Sequence, residues 1–188
     1  MVFRGLGFRL RAGQALTVEG PNGSGKTSLL RVIAGFLRPE EGAIRLEMKD
    51  GQPVAAREER SAFIGWLGHQ DGVKAQMTPR EILRFHAQLY GVRQPDVGAA
   101  LNLVALARVA DLPVQYLSAG QKKRLALARL KLSDRPLWLL DEPLSALDAA
   151  GRALAAGLVR GHCAEGGMAI IATHEPLELE TEKLLLAA

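Results

Sequence analysis

The stretch Gly20-Pro21-Asn22-Gly23-Ser24-Gly25-Lys26-Thr27 constrains this chain more than any other. An apolar run (Ala15, Leu16, Val18) precedes it, and a helix-like run (Ser28, Leu29, Leu30, Arg31, Val32, Ile33) follows. Strand, glycine-rich loop and helix in that order are the context a phosphate-binding loop needs. Glycines let backbone N–H groups turn inward without a Cβ in the way. Those groups and the positive end of the new helix suit an anion. Residues Gly20, Pro21, Asn22, Gly23, Ser24, Gly25, Lys26, Thr27 and Ser28 are therefore candidate nucleotide contacts, with Lys26 reaching the β- and γ-phosphates. The Thr27 hydroxyl is a hard oxygen ligand of the kind Mg²⁺ prefers.

A chain of 188 residues suffices for one domain with a sizeable core. The single cysteine, Cys163, excludes a disulfide framework and fits a reducing compartment. Apolar runs fall short of the ~18 residues a membrane span needs, and the first residues carry Arg4, Arg9 and Arg11 without a long apolar stretch. The expectation is a soluble, cytoplasmic chain. A net charge of +4 is too small to argue for nucleic acid.

After the phosphate loop a helix is expected to about Phe36. A half-exposed strand is expected over Ile44 to Met48, with a hairpin turn at Lys49-Asp50-Gly51-Gln52. Arg57 to Arg60 reads as a solvated charged segment, and Ala62 to Gly68 as a buried strand ending in His69-Gln70. Thr78, Pro79 and Glu81 form a helix start with a capping box; Ile82, Leu83, Phe85, Leu89 and Tyr90 give that helix its apolar side. Further helical stretches are expected over Val97 to Leu106 and just before Pro113, so residues 73–116 read as a mostly helical insertion. Leu117 to Gln121 reads as a loop feeding a basic helix from Lys122 to Leu132. Leu137 to Leu140 is an apolar strand that delivers Asp141-Glu142 to its C-terminal end. A turn at Ser145 to Asp148, a helix to about Cys163, a strand over Met168 to Ala172 ending at Thr173-His174, and a terminal strand or apolar tail at Leu184 to Leu186 complete the chain.

Strands alternating with helices imply a parallel α/β sheet, whose ligands sit off the carboxyl ends of the strands. Gly20, Gln70, Asp141 and His174 each follow a predicted strand and would gather on one rim. Asp141 has the form of a second Mg²⁺ anchor. Glu142 is placed to polarise the water attacking a γ-phosphate. Gln70 would orient water or touch Mg²⁺. His174 would bond the γ-phosphate as a neutral imidazole. His69, His86 and His162 show no such placement, and Cys163 reads as a small helix hydrophobe.

These motifs, with Leu117-Ser118-Ala119-Gly120-Gln121 among them, stand in the order of the ABC-type ATPases, and the chain resembles that family over essentially its whole length. The resemblance implies a P-loop NTPase fold with a central, mostly parallel sheet, a small antiparallel β part and a helical subdomain at about 73–116. It implies ATP and Mg²⁺ as ligands and a head-to-tail homodimer on ATP binding. In that dimer Ser118, Gly120 and Gln121 act on the partner's nucleotide, and Asp148 couples the two sites.

Trp66-Leu67-Gly68-His69-Gln70, Ala119 within the signature, and Arg124 to Leu130 narrow the resemblance to the ATP-binding subunit of the haem exporter of cytochrome c maturation. The partners this implies are integral membrane permease subunits, with the chain peripheral on the cytoplasmic face. An ATPase subunit of another ABC exporter, a soluble ABC protein acting on nucleic acid or ribosomes, and a binding module with little turnover are the alternatives. Domains of this family begin one strand earlier, with a residue stacking on adenine. Met1-Val2-Phe3 starts where that strand would end, so either the start is misassigned or the edge strand and its adenine platform are lost; the second alternative implies reduced ATP affinity and weak base selectivity.

Overall fold

A computed structural model describes residues 3–48, 50–54, 57–68 and 74–186. Among them, strands β1 (Ala15–Glu19), β2 (Ile64–Leu67), β3 (Leu137–Asp141), β4 (Met168–Ala172) and β5 (Glu182–Leu185) form one sheet in the order β2-β3-β4-β1-β5. Every pairing in it is parallel. The carboxyl ends of all the strands therefore share one rim. The register sets Leu139 opposite Ile170 and Asp141 opposite Ala172.

Helices α1 (Lys26–Ile33), α2 (Arg57–Phe63), α3 (Pro79–Leu89), α4 (Val97–Leu103), α5 (Ala119–Leu132) and α6 (Ala149–Ala164) cover the two faces. Side chains of a strand alternate between faces, and β3 shows the consequence. Leu137 and Leu139 pack with Leu29, Leu30 and Ile33 of α1. Trp138 and Leu140 pack with Leu125 and Leu127 of α5, Ile82 and Leu83 of α3, and Leu158 of α6. The insertion expected over 73–116 holds α3, α4 and two 3-10 turns, Ala107–Val109 and Val114–Tyr116.

The start of α3 is as expected: Thr78 Oγ1 accepts from Glu81 N at 3.3 Å, and Thr78 N donates to Glu81 Oε2 at 2.8 Å. Its apolar side differs. Ile82, Leu83 and Ala87 are buried, while Phe85 is 54% and Leu89 67% exposed. The buried set at i, i+1 and i+5 leaves those two on the other side of the helix.

Other expectations are corrected. Arg57 to Arg60, expected only as a solvated charged segment, opens helix α2, which runs to Phe63, with Glu59 exposed. Arg and Glu are good helix formers, and the 3%-exposed Phe63 anchors the helix end beside Leu137 and Ile33. Strand β2 accordingly starts at Ile64, not Ala62. The strand expected over Ile44 to Met48, and with it the small antiparallel part, reduces among the described residues to one bridge, Glu47 with Pro53, around the turn at Asp50 and Gly51. Lys49 lies outside the described residues. Ala119 to Gln121 are not loop: they form the first turn of α5, because Ser118 caps it. The terminal segment is a strand, β5, paired with β1.

Two histidines that the sequence leaves unassigned are structural. The His162 ring lies flat on the buried Trp138, with centroids 3.9 Å apart and planes 5° from parallel, and its Nε2 sits 3.2 Å from both Pro136 O and Met168 O. His86 on α3 packs between Phe85 and Tyr90 with its Nδ1 buried and unpartnered. Burial, and then the charge of Arg129, push its pKa down to about 4 from an ordinary 6.5. The folded state thus refuses a proton that the unfolded chain takes up below pH ~6.5. This contribution to stability is intact above pH ~6.5 and fades as pH falls toward ~4. Replacing His86 by Leu should flatten the fall in chemical-denaturation midpoint between pH 6.5 and 4; an unchanged slope would remove His86 as its source.

Candidate active site

Gly20 follows β1 directly, and only a glycine fits there. A Cβ at Gly20 would lie 2.6 Å from Leu186 O and 2.6 Å from Ser24 Oγ. The loop ends at Gly25, whose φ of 96° begins α1 from the left-handed region. The first backbone bond of the helix runs from Leu29 N to Gly25 O at 2.8 Å, so the preceding N–H groups have no acceptor within the helix. Lys26, only 7% exposed, donates to Gly20 O at 2.7 Å and to Pro21 O at 3.1 Å. Ser24 Oγ is buried and has no partner among the described residues. A near-buried ammonium held by carbonyls, an orphaned hydroxyl and the first N–H groups of α1, which have no acceptor within the helix, suit phosphate oxygens.

Helix α1 packs across β4 to reach β3, as its shared core with Leu139 and Ile170 shows. Thr27 Oγ1 therefore stands 3.0 Å from both carboxylate oxygens of Asp141, at the end of β3. A hydroxyl and a buried carboxylate, both hard oxygens beside a phosphate cradle, fit Mg²⁺. The next residue, Glu142, has φ 49°, a left-handed conformation that is uncommon for non-glycine residues. Its N–H continues the ladder to Ala172 O at 2.8 Å. Its Oε1 lies 3.0 Å from His174 Nδ1, and its Oε2 is buried without a partner among the described residues. The carboxylate accepts, so the Nδ1 atom carries the proton in this contact. A neutral His174 ring then offers only a lone pair at Nε2. Bonding Glu142 and donating to a phosphate as neutral imidazole are thus alternative states of one ring.

The structure brings Gly20 to Ser28, Asp141, Glu142 and His174 to one rim. Gln70 lies outside the described residues. The signature residues stand apart from this cradle as the opening of α5: Ser118 Oγ accepts from Gln121 N at 3.2 Å, and Gln121 Oε1 accepts from Ser118 N at 2.9 Å. Asp148 caps α6 through Gly151 N at 2.8 Å and accepts from Arg124 at 2.7 Å. The Gly151 N–H and then the Arg124 guanidinium hold its carboxyl below the usual range.

A phosphate cradle, an acidic strand end beneath it and a carboxylate–imidazole pair on one rim define the class, an ATP-binding domain of P-loop type. A family profile described as ABC transporter matches residues 3–145. The cytochrome c biogenesis ATP-binding export protein CcmA of Mesorhizobium japonicum is 49% identical over 97% of this chain and 89% of its own length. Its counterparts in Rhodopseudomonas palustris and Brucella abortus are 44% and 47% identical, over 100% and 95% of this chain and 91% and 81% of theirs. The chain belongs to the ABC transporter family and, within it, to the cytochrome c biogenesis ATP-binding export proteins. Among solved structures, a putative ABC transporter ATP-binding protein from Pyrococcus furiosus superposes with a TM-score of 0.80 at 27% identity, over 94% of this chain and 86% of that one. A dimeric ATP-binding cassette in a post-hydrolysis state with ADP and Pi has the same fold, with a TM-score of 0.74 at 23% identity over 89% of this chain and 78% of that one.

Proposed function

We propose that this chain hydrolyses ATP on behalf of the membrane permease of a haem exporter in cytochrome c biogenesis, from the cytoplasmic face. The observation that carries the reading is the rim itself, with Lys26, Thr27, Asp141 and the orphaned Glu142 Oε2 converging at the end of a parallel sheet in a chain 49% identical to a CcmA protein. The backbone of Gly20 to Gly25 and the Lys26 ammonium bind the β- and γ-phosphates, with Ser24 and Ser28 beside them. Thr27 and Asp141, with Gln70 from the sequence motif, would hold Mg²⁺, which would supply positive charge to neutralise the phosphate oxygens. Glu142 orients and deprotonates the attacking water. In the loaded site the neutral His174 ring carries its proton on Nε2 and donates to a γ-phosphate oxygen, which frees Glu142 Oε1 for that water. Ser118, Gly120 and Gln121 close on the nucleotide of a second copy, head to tail, and Asp148 links the two sites.

No described helix is long and apolar enough to cross a membrane; in this reading the motion passes to permease subunits. The helical insertion offers them Phe85 and Leu89, both well exposed on α3. Beyond α1, Phe36 is 64% exposed and edge-packed on Trp66 of β2. A short helix of the permease would bury such side chains. The test has two arms. The pure chain should turn over ATP only with Mg²⁺, and Lys26→Ala should lower turnover by at least ~10²-fold through lost charge stabilisation. A photo-crosslinker at position 85 should capture an integral membrane protein from native membranes. Turnover in EDTA, or crosslinks only to ribosomal proteins, would refute the reading.

A further inference from the structure

The segment from Glu142 to Asp148 closes on itself. Ser145 donates to Glu142 O from both N (3.3 Å) and Oγ (2.9 Å), and Leu147 N donates to Leu144 O at 3.1 Å. Two of its non-glycine residues, Glu142 and Ala146, sit in the left-handed region at φ 49° and 63°. Such a backbone persists only where its surroundings over-determine it. Leu144 and Leu147 supply part of that restraint by burial in the core. The rest comes from α5. A Cβ at Gly120 would stand 2.9 Å from Ala146 O, so the first turn of α5 is seated directly on this segment. One turn on, Arg124 donates to Asp148 Oδ1 at 2.7 Å, the same oxygen that caps α6.

We propose that Arg124 is a positioning residue for hydrolysis: by holding Asp148 it fixes the segment that begins at Glu142 and ties the signature end of α5 to the catalytic carboxylate of its own chain. The assignment rests on the head-to-tail ATP dimer of the reading above. In that dimer one chain's α5 closes on the partner's nucleotide while its Glu142 works on its own, so Arg124 lets each site feel whether the other is closed. The Asp148 side chain is 69% exposed, while that of Arg124 is largely covered at 19%. Solvent around the carboxylate weakens what the ion pair adds to stability, so a substitution that keeps the covered stem of Arg124 tests its geometric role.

The test separates action within the chain from action across the dimer. Full-length Arg124→Met, which keeps the aliphatic stem, is mixed with an excess of Glu142→Gln chains. The competent carboxylate in each mixed dimer then belongs to the R124M chain, and the signature helix closing on its nucleotide is the intact one of the partner. We expect kcat per R124M chain about tenfold below a wild-type and E142Q mixture, as for a misplaced catalytic group. The KM for ATP and the thermal midpoint should not move, the R124M homodimer should show the same fall, and Arg124→Lys should recover at least half of the loss. A kcat equal to the control, in mixture and homodimer, overturns the proposal, as does a fall fully matched by a lower thermal midpoint. If R124M does not fold, Arg124→Gln is read by the same criteria. A wild-type and E142Q mixture that never dimerises with MgATP overturns the dimer reading itself, and this assignment with it.

Discussion

Replacing Glu142 by Gln should lower the rate of ATP hydrolysis by about 10²–10⁴-fold, the contribution of a positioned general base, while leaving ATP bound and two copies associated. The side chain is nearly the same size, so the left-handed backbone at Glu142 and the ladder bond to Ala172 O remain. What disappears is the capacity to take a proton. In the structure that capacity is held ready: Oε2 is buried with no partner, and Oε1 is engaged only by the largely exposed His174. A carboxylate left short of one hydrogen bond in a buried site has room for a donor, which in the proposed mechanism is the attacking water. The measurement is single-turnover hydrolysis with size-exclusion chromatography in MgATP. Turnover within threefold of the parent would remove Glu142 from the mechanism. A slow variant that stays monomeric in MgATP would remove the dimer.

The second large effect concerns stability. Trp138→Ala should cost about 3–5 kcal/mol, the range for emptying a buried large aromatic site, and lower the thermal midpoint by roughly 10 °C for a domain of this size. Trp138 is 1% exposed on β3, and its ring carries the parallel stack of His162. Its indole Nε1 is buried without a partner, which makes Trp138→Phe the informative control. Phe keeps an aromatic face for His162 and removes an unsatisfied N–H, so it should cost far less than Ala. Equal losses for Phe and Ala, or an Ala variant within 1 kcal/mol of the parent by urea titration, would show that the stack does not support the core.

The phosphate loop, the Asp141-Glu142 strand end and the cap at Thr78 are legible from the sequence because each is local: a few adjacent residues state both the backbone shape and the chemistry. So is the shared rim, since alternating strands and helices leave a parallel sheet as the solution. Three features are not legible, and for one reason. The Trp138–His162 stack, the Arg124–Asp148 pair and the seat of Gly120 on Ala146 join residues 24–26 positions apart, through packing that no spacing rule encodes. Helix α2 was hidden differently. Its charged start looks like surface, and only Phe63, which a strand would also have accommodated, ties it down. The exposure of Phe85 and Leu89 breaks the apolar pattern read for α3, because the packed core takes Ile82, Leu83 and Ala87 as the buried side of the helix, which spacing alone does not decide.

The sheet also works as a partition. The helix that grips phosphate, α1, rests on one face, and the helix that carries the signature, α5, rests on the other; alternate residues of β3 serve each. Side-chain changes beneath one grip are screened from the other by a layer of backbone. Variation can therefore retune how firmly such a chain holds its own nucleotide without disturbing how it meets a neighbour, so long as the hinge of contacts at the rim stays intact.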